Sequence, residues 1–246
     1  MILDNKNIFI TGAGKGIGES CVNNFIQKGG FVYALIKDKK DNKKFKGLKN
    51  IKIYNGNVKN KKLVKKIFND SKKNNKPINC LVNNAGIRFR KEFLRIKEKE
   101  LMNVFEVNFL SIFNIMQVFT NFVIKNNIKG SIVNLSSIVG KLGFKDLSGY
   151  ASSKGALTAL TKSFSVEMSP FGIRANSISP GFVKTSYFKK FKNNKKRLYN
   201  WTLSRIPQKR WANPKEIAEL ISFVLSDKSP YLNGEDISID GGWTNA

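Results

Sequence analysis

The amino-acid sequence predicts an α/β fold: a doubly wound parallel sheet of about seven strands, with helices on both faces, built as a single domain over residues 1–246. Three observations carry this expectation. Short strand-like runs alternate with longer helical patterns from one end of the chain to the other. Strands joined through helices run parallel, and such crossovers are nearly always right-handed. A chain of 246 residues that is 41% hydrophobic can bury one core, and no linker, repeat or low-complexity tail divides it.

The elements follow in order. NIFIT (7–11) is a branched and aromatic run that enters a glycine-rich turn and a helical pattern over 16–28. FVYALI (31–36) and IKIY (51–54) are the next strands, and a helical pattern over 60–73 follows them. INCLV (78–82) precedes a long helical pattern over 98–126, and SIVNL (131–135) precedes another over 149–169. IRANSIS (173–179), a helical pattern over 214–226 and DISI (236–239) complete the set. Ligands of such sheets bind beyond the carboxyl ends of the strands, so chemistry is expected in the segments just after them.

Composition narrows that chemistry. The chain has 44 basic and 17 acidic residues, a net charge of +27, and no histidine. Without imidazole, a Ser/His/Asp triad, a Cys/His pair, an H-E-x-x-H zinc site and a histidine general base are all excluded, and proton transfer falls to Tyr, Lys, Asp, Glu or Cys. The positive charge is spread along the whole chain beside abundant asparagine, isoleucine and phenylalanine. That fits a composition-wide bias better than a nucleic-acid face, so no nucleic acid is expected as a partner. Cys21 and Cys80 sit in apolar segments rather than at metal spacing, which points to buried thiols in a reducing compartment and to no metal site. With no run of about 18 apolar residues and no leader-like start, the sequence reads as a cytoplasmic protein without a membrane partner.

The first candidate site follows the first strand. In ITGAGKGIGES, Gly12, Gly14, Gly16 and Gly18 form a turn that opens a helix. Glycines let the backbone approach a pyrophosphate, and the helix N-terminus adds free N–H groups and about half a positive charge. The same glycines would serve a purely conformational turn, but their place in a β-α-β unit favours a dinucleotide.

Six motifs then occur in register: T-G-x-x-x-G-x-G (Thr11, Gly12, Gly16, Gly18), N-N-A-G (Asn83, Asn84, Ala85, Gly86), the asparagine of EVNF (Asn108), the serine of NLSSIVG (Ser137), Y-x-x-x-K (Tyr150, Lys154) and SPGFVKT (Pro180, Gly181, Thr185). Over essentially its whole length the chain resembles the short-chain dehydrogenases/reductases, and among them the 3-oxoacyl-acyl-carrier-protein reductases and sugar-type dehydrogenases. The resemblance implies a Rossmann fold and an oxidoreductase that moves a hydride between a nicotinamide cofactor and a ketone or secondary alcohol.

The stretch SGYASSKGALTAL (148–160) shows why the chemistry suits these residues. Tyr150 and Lys154 are its only long polar side chains. Four positions apart on a helix, they share one face, about 6 Å apart along the axis. A phenol with pKa near 10 needs roughly 4 kcal/mol of anion stabilisation to reach about 7. A cation about 4 Å away supplies about 1 kcal/mol in bulk water and about 4 at an effective dielectric of about 20, so the pair needs a cleft that excludes water. By resemblance, Tyr150 passes the proton, and Ser137 donates a hydrogen bond to the substrate oxygen where negative charge develops. Lys154 would also bond the ribose hydroxyls, and Asn108 would hold a water linking Lys154 to solvent. A packing role is the alternative for Ser137, as for its neighbour Ser136.

Cofactor contacts implied in the same way are Gly12, Lys15, Gly16, Ile17 and Gly18 in the first loop, Lys37 after the second strand, and Asn57 and Val58 after the third. Asn84, Ala85 and Gly86 follow the fourth strand, Tyr150 and Lys154 lie on the helix, and Pro180, Gly181, Val183 and Thr185 follow the sixth. Ile36 stands where an NAD-type acid would accept from the ribose, whereas Lys37 and Lys15 suit a 2′-phosphate. NADP(H) is therefore preferred over NAD(H), with Asp38 as an acid that could swing in instead. Asn57 replaces an aspartate near the adenine, and its amide oxygen can still accept.

Substrate identity is less legible. Residues 186–212 fill the substrate-lid position and interleave Tyr187, Phe188, Phe191, Tyr199 and Trp201 with bases; the aromatics are expected to bury one side of an amphipathic lid. Arg88, Arg90 and Lys141 could each meet an acidic substrate or lie in solvent. Arginines that related reductases present to the acidic carrier align with Ile128 and Phe171, which weakens that reading, although Lys125 and Lys129 are close. DGGWTNA and RIPQKRWANPKEIA look more like sugar-type members. The substrate is read as a sugar, polyol or sugar acid, or as a 3-oxoacyl thioester with acyl carrier protein as partner. Ala151, Gly155, Ala156 and Ala159 would let another surface approach the helix, and the resemblance implies a homotetramer or homodimer; packing on the chain's own sheet is the alternative. A homologue that binds nucleotide or nucleic acid without catalysis is the competing reading, and the complete Asn108, Ser137, Tyr150 and Lys154 set stands against it.

Overall fold

The computed structural model describes residues 1–186 and 188–246, so the expectation for Tyr187 lies outside the described residues. Its strands are β1 (Asn7–Thr11), β2 (Phe31–Ile36), β3 (Ile51–Asn55), β4 (Cys80–Asn83), β5 (Gly130–Leu135), β6 (Ile173–Pro180) and β7 (Asp236–Ile239). All pair in parallel, in the order β3-β2-β1-β4-β5-β6-β7. The order reverses between β1 and β4, which opens a crevice at their carboxyl ends.

The helices are α1 (Gly16–Gln27), α2 (Lys61–Lys73), α3 (Glu98–Phe105), α4 (Ser111–Lys125), α5 (Ser148–Met168), α6 (Phe188–Asn194), α7 (Lys196–Arg205) and α8 (Pro214–Leu225). Their starts have local causes. The Asn60 side chain accepts from Leu63 N–H at 3.0 Å to begin α2, and at α8 the Asn213 N–H donates to Glu216 at 2.7 Å with Pro214 in the first turn.

Strand alternation sorts the core into two layers. Ile8, Ile10, Val32 and Ala34 face α1 and α8, packing with Val22, Phe25, Ile217 and Ile221. Phe9, Tyr33, Leu35 and Leu81 point the other way, onto Val64 and Phe68 of α2, Ile112 and Phe119 of α4 and Leu157 of α5. A buried polar chain then fixes α5 on the sheet. Asn83 donates to Asn134 at 2.8 Å, Asn134 donates to Thr161 at 2.9 Å, and Ser177 donates to the same Thr161 hydroxyl at 2.9 Å. An unmade partner in such a site is costly, so this chain sets the rotation and height of α5.

Several boundaries shift by one residue from the sequence reading, and three differences matter more. The fourth strand begins at Cys80 rather than Ile78, because the Ile78 N–H is drawn to Ser71 Oγ at the end of α2. The helix expected over 98–126 is interrupted by a π-helical turn, Glu106–Leu110, that holds Asn108. By length and composition Glu98–Lys125 could cross a membrane, but Ile112, Ile115, Met116 and Phe119 spend its apolar face on the core. Residues 188–205, read from sequence only as an amphipathic lid, form the two short helices α6 and α7.

Candidate active site

The polar chain beneath α5 leaves its first two turns at the end of β5. There α5 crosses a 3-10 turn, Ile138–Gly140, at close range: a Cβ on Gly140 would lie 3.1 Å from the Gly155 N and from the Lys154 carbonyl carbon. Part of the small-residue stripe thus serves this internal crossing. Ser136 is buried and donates to the Lys154 carbonyl at 3.2 Å, so it is a packing residue. Ser137 opens into a cleft of about 370 Å³ that it shares with Tyr150 and Lys154, and Ser136 lies in the wall of the same cleft.

Lys154 is 4% exposed and donates to the Leu135 carbonyl at 2.6 Å. Burial lowers its pKa to about 8. Its ammonium stands 5.9 Å from the centre of the Tyr150 ring. The Tyr150 phenol is held above its ordinary value by burial, which outweighs the charge of Arg88 and hydrogen bonding to Ser137, the two influences that pull it down. The sequence reading assigns that downward pull to Lys154. The cation that lowers it is Arg88, which lies on the loop after β4, far in sequence from the Y-x-x-x-K stretch.

Asn108 lies in the π turn with both amide hydrogens and one lone pair of its oxygen engaged. Its Oδ1 accepts from Ile87 N–H at 2.8 Å, and its Nδ2 donates to the Ile87 carbonyl at 3.0 Å and to Ser153 at 3.1 Å. The side chain therefore pins the loop after β4 to α5.

The glycine loop fits a pyrophosphate by shape. Gly12 and Gly16 adopt φ of +65° and +56°. A Cβ on Gly18 would lie 2.3 Å from the Gly12 carbonyl oxygen and 2.6 Å from Asn84 Nδ2, closing the cradle. The N-N-A-G segment holds this loop: Asn84 Nδ2 donates to the Thr11 and Gly12 carbonyls at 3.0 and 2.9 Å, and the Asn84 and Ala85 N–H groups donate to Thr11 Oγ1 at 3.2 and 3.0 Å. Thr11, read from sequence only as part of the glycine motif, supplies the hydroxyl that ties the two loops together. Thr185 reaches the same loop, since a Cβ on Gly16 would sit 3.0 Å from its methyl. Ile17, Pro180, Gly181 and Val183 line the cleft beside it.

At the other end a second depression is lined by Lys15, Lys37, Asp38, Asp41, Asn57 and Val58, with Ala85 and Gly86 at its inner wall. Lys15 Nζ lies 2.9 Å from Asp38 and 3.5 Å from Asp41. Lys44 lies 3.5 Å from the same Asp41 and donates to the Gly14 carbonyl at 2.8 Å. Asp41 and Lys44 are not foreseen in the sequence reading; the buried Phe45 that anchors their 3-10 turn, Lys39–Phe45, is the signal that could have found them. Asn57 Oδ1 accepts from Lys59 N–H at 3.0 Å, so one of its lone pairs is already engaged.

The three cations that could meet an acidic substrate or lie in solvent separate. Lys141 is spent on the Asp236 carbonyl, Ser238 and the Asp236 carboxylate at 2.7, 2.9 and 3.2 Å. Arg90 faces Asp146 at 3.7 Å. Arg88 lines the cleft and has no ion pair or hydrogen bond to any of the described residues. The lid aromatics turn inward as expected: Phe188, Phe191 and Tyr199 gather on Trp211 with ring centres 5.1, 5.1 and 5.6 Å from it, while Trp201 stays 45% exposed against Trp243.

The family model described as enoyl-(acyl carrier protein) reductase matches residues 12–244. The chain is 36% identical over 247 residues to the 3-oxoacyl-acyl-carrier-protein reductase FabG of Thermotoga maritima, covering 98% of this chain and 99% of that protein. It is 32% identical over 245 residues to FabG of Staphylococcus epidermidis, covering 97% and 98%. Among solved structures, ElxO with NADP bound superposes with a TM-score of 0.91 at 29% identity, covering 98% of this chain and 99% of that one. 4-Hydroxyisoleucine dehydrogenase complexed with NADH gives 0.90 at 29% identity over the same shares. With its parallel seven-stranded sheet, its glycine cradle and the serine, tyrosine and lysine brought into one cleft, this chain belongs to the short-chain dehydrogenase/reductase family of oxidoreductases.

Proposed function

We propose that the protein interconverts a ketone and a secondary alcohol with NAD(P)(H), using Tyr150 as general acid in reduction and general base in oxidation. One observation carries the reading: Ser137, Tyr150 and Lys154 open into a single cleft beside the glycine cradle. The nicotinamide, when bound, supplies or accepts the hydride. Tyr150 moves the proton at its phenolic oxygen, and Ser137 donates to the carbonyl oxygen as negative charge gathers there. Lys154, held by the Leu135 carbonyl, would hold the ribose hydroxyls with its remaining ammonium hydrogens. Asn108 keeps the loop after β4 in place, and Gly86 leaves the floor open, since a Cβ there would lie 3.3 Å from Asn108 Oδ1 and 3.7 Å from Lys154 Nζ.

Lys15 and Lys37 at the adenosine rim support NADP(H) over NAD(H). Residues 186–212, after β6, act as a lid, with Phe188 and Trp211 in the cleft wall. That wall, with Ile138, Phe144 and Phe182 beside them, offers a polyol few partners and supports an apolar acyl body. Arg88, with no ion-pair partner among the described residues, supports a substrate that carries negative charge. The names of the FabG relatives bring acyl carrier protein in as a partner, although Ile128 and the 53% exposed Phe171 give an acidic carrier no charge to grip. Exposed Leu110 of the π turn, Phe113 of α4 and Val166 of α5 support a homodimer or homotetramer. Buried Cys21 and Cys80, the latter pushed up to about 12 by burial, suit a reducing cytoplasm.

The test is nicotinamide absorbance with NADPH and with NADH over a panel of neutral ketones, sugar acids and 3-oxoacyl thioesters. Turnover of at least one carbonyl compound, faster with NADPH, is expected. A protein that binds the cofactor yet turns over no member is a binding homologue and overturns the enzyme reading.

A further inference from the structure

The edge strand β7 carries an acid that none of the six motifs contains. The Asp236 side chain is 6% exposed, and its carboxylate binds three segments at once. Oδ1 accepts from the Ser179 hydroxyl at 2.7 Å. Oδ2 accepts from the Thr158 hydroxyl at 3.4 Å and faces the Lys141 ammonium at 3.2 Å. The same ammonium is held again by the Asp236 carbonyl at 2.7 Å and by Ser238 Oγ at 2.9 Å. A buried carboxylate persists only where such partners are supplied, so the surroundings of Asp236 are closely specified.

Each of the three segments also carries a piece of the candidate active site. Ser179 precedes Pro180 and Gly181 in the cleft wall. Thr158 stands one turn beyond Lys154 on α5, and Lys141 closes the 3-10 turn that Ser137 opens. The Thr158 hydroxyl lies 3.1 Å from that of Ser136 and 3.2 Å from the Lys154 carbonyl. It has one hydrogen, and the charged carboxylate is its stronger acceptor, which leaves Ser136 to hold the Lys154 carbonyl at 3.2 Å. Asp236, Ser179, Thr158 and Lys141 do not themselves line the cleft; they act from behind its wall.

Resting on the reaction proposed above, we infer that Asp236 is a positioning residue: neutralised by Lys141, it sets the spacing between Ser137 on its turn and Tyr150 and Lys154 on α5. That spacing fixes the group that steadies the substrate oxygen against the group that moves the proton. A misplacement of about 1 Å between such groups can cost about 100-fold in rate. The ion pair is asymmetric. Lys141 is 32% exposed and can turn to water when alone, whereas Asp236 cannot. Removing the cation therefore leaves a buried charge that draws its three segments out of place.

Steady-state reduction by NADPH of the ketone or thioester that the wild type turns over fastest in the panel above tests this, with each variant assayed below its unfolding transition. Asp236→Asn is expected to lower kcat about ten- to fiftyfold. KM for NADPH stays within about threefold of wild type, because three strands separate β7 from β1 and its glycine cradle. Lys141→Met loses at least as much in kcat, whereas Lys141→Arg, which still reaches the carboxylate, recovers to within about threefold of wild type. Asp236→Asn/Lys141→Met is no slower than the worse single variant, since both changes remove one interaction. A kcat within about twofold of wild type in Asp236→Asn overturns the inference and leaves the proposed reaction standing, whatever the variant's stability. So does a loss carried by KM for NADPH with kcat unchanged, or losses that multiply in the double variant. If the wild type reduces no member of the panel, the reaction and the inference fail together.

Discussion

The two ends of the cofactor crevice are made of different materials. At the nicotinamide end the groups that hold the site in shape are buried and tied to backbone: Lys154 to Leu135, Ser136 to Lys154, Asn108 to Ile87. At the adenosine end the groups are partly exposed ions, Lys15 with Asp38 and Lys44 with Glu19, that meet chiefly one another. A buried, hydrogen-bonded set has its geometry fixed before a ligand arrives, which is what stabilising a transition state demands. Exposed ion pairs exchange partners at little cost, which is what choosing between two cofactors demands. Damage to the first end is therefore expected to appear in rate and stability, and damage to the second in cofactor choice.

The cradle joining the two ends is the most sensitive place to break this division. In Gly18→Ala the new methyl would collide with the Gly12 carbonyl oxygen and Asn84, 2.3 and 2.6 Å away. Both cofactors are expected to bind at least ~100-fold more weakly, with no change in their ratio, by fluorescence titration. Retained binding would mean the cradle is not the pyrophosphate seat.

Next in size is the buried ammonium. An unfolded lysine keeps its proton to about 10.5, whereas Lys154 in the fold loses it near 8. Between those values the unfolded chain binds more protons, so wild-type stability rises with pH, and below about 8 the full cost of burying the charge is present. Replacing Lys154 with Met removes that dependence. The stability advantage of Lys154→Met over wild type in urea unfolding should shrink from pH 8 to 10.5, by about 3 kcal/mol at most. A pH-independent difference would show that the ammonium is not desolvated.

The smallest effect sharpens the comparison from the substrate side. Arg88 lowers the pKa of the Tyr150 phenol. Arg88→Gln should therefore move the basic limb of ketone reduction to higher pH, because the phenol stays protonated longer, and delay the rise of alcohol oxidation likewise. The expected shift is under about one pH unit, with KM for anionic substrates raised about tenfold more than for neutral ones. Unmoved profiles and equal KM changes would place Arg88 in solvent.

Most of the architecture was legible because strand runs such as NIFIT and FVYALI are short, branched and flanked on one side by glycine, and helices such as α2 carry clear apolar spacing. The π turn at Glu106–Leu110 left no mark, since one extra residue in a helical ladder shifts the apolar stripe too little to read. The site residues were legible as motifs but their duties were not. Asn84 looked like a cofactor contact, yet its amide spends itself on the Thr11 and Gly12 carbonyls. Lys141 and Arg88 looked alike in sequence and were parted only by the fold, which brings the β7 carboxylate of Asp236 to one and leaves the other in the cleft. Pairings between segments distant in sequence have no local signature in a lysine-rich chain.

The central claim, that a phenol in a preformed pocket transfers the proton, is met most directly by single-turnover hydride transfer from NADPH-loaded protein in wild type and Tyr150→Phe. The expected result is a rate at least ~100-fold lower in the variant with NADPH affinity within about threefold of wild type. A variant that keeps its rate, or one that loses affinity in proportion to rate, would contradict the claim.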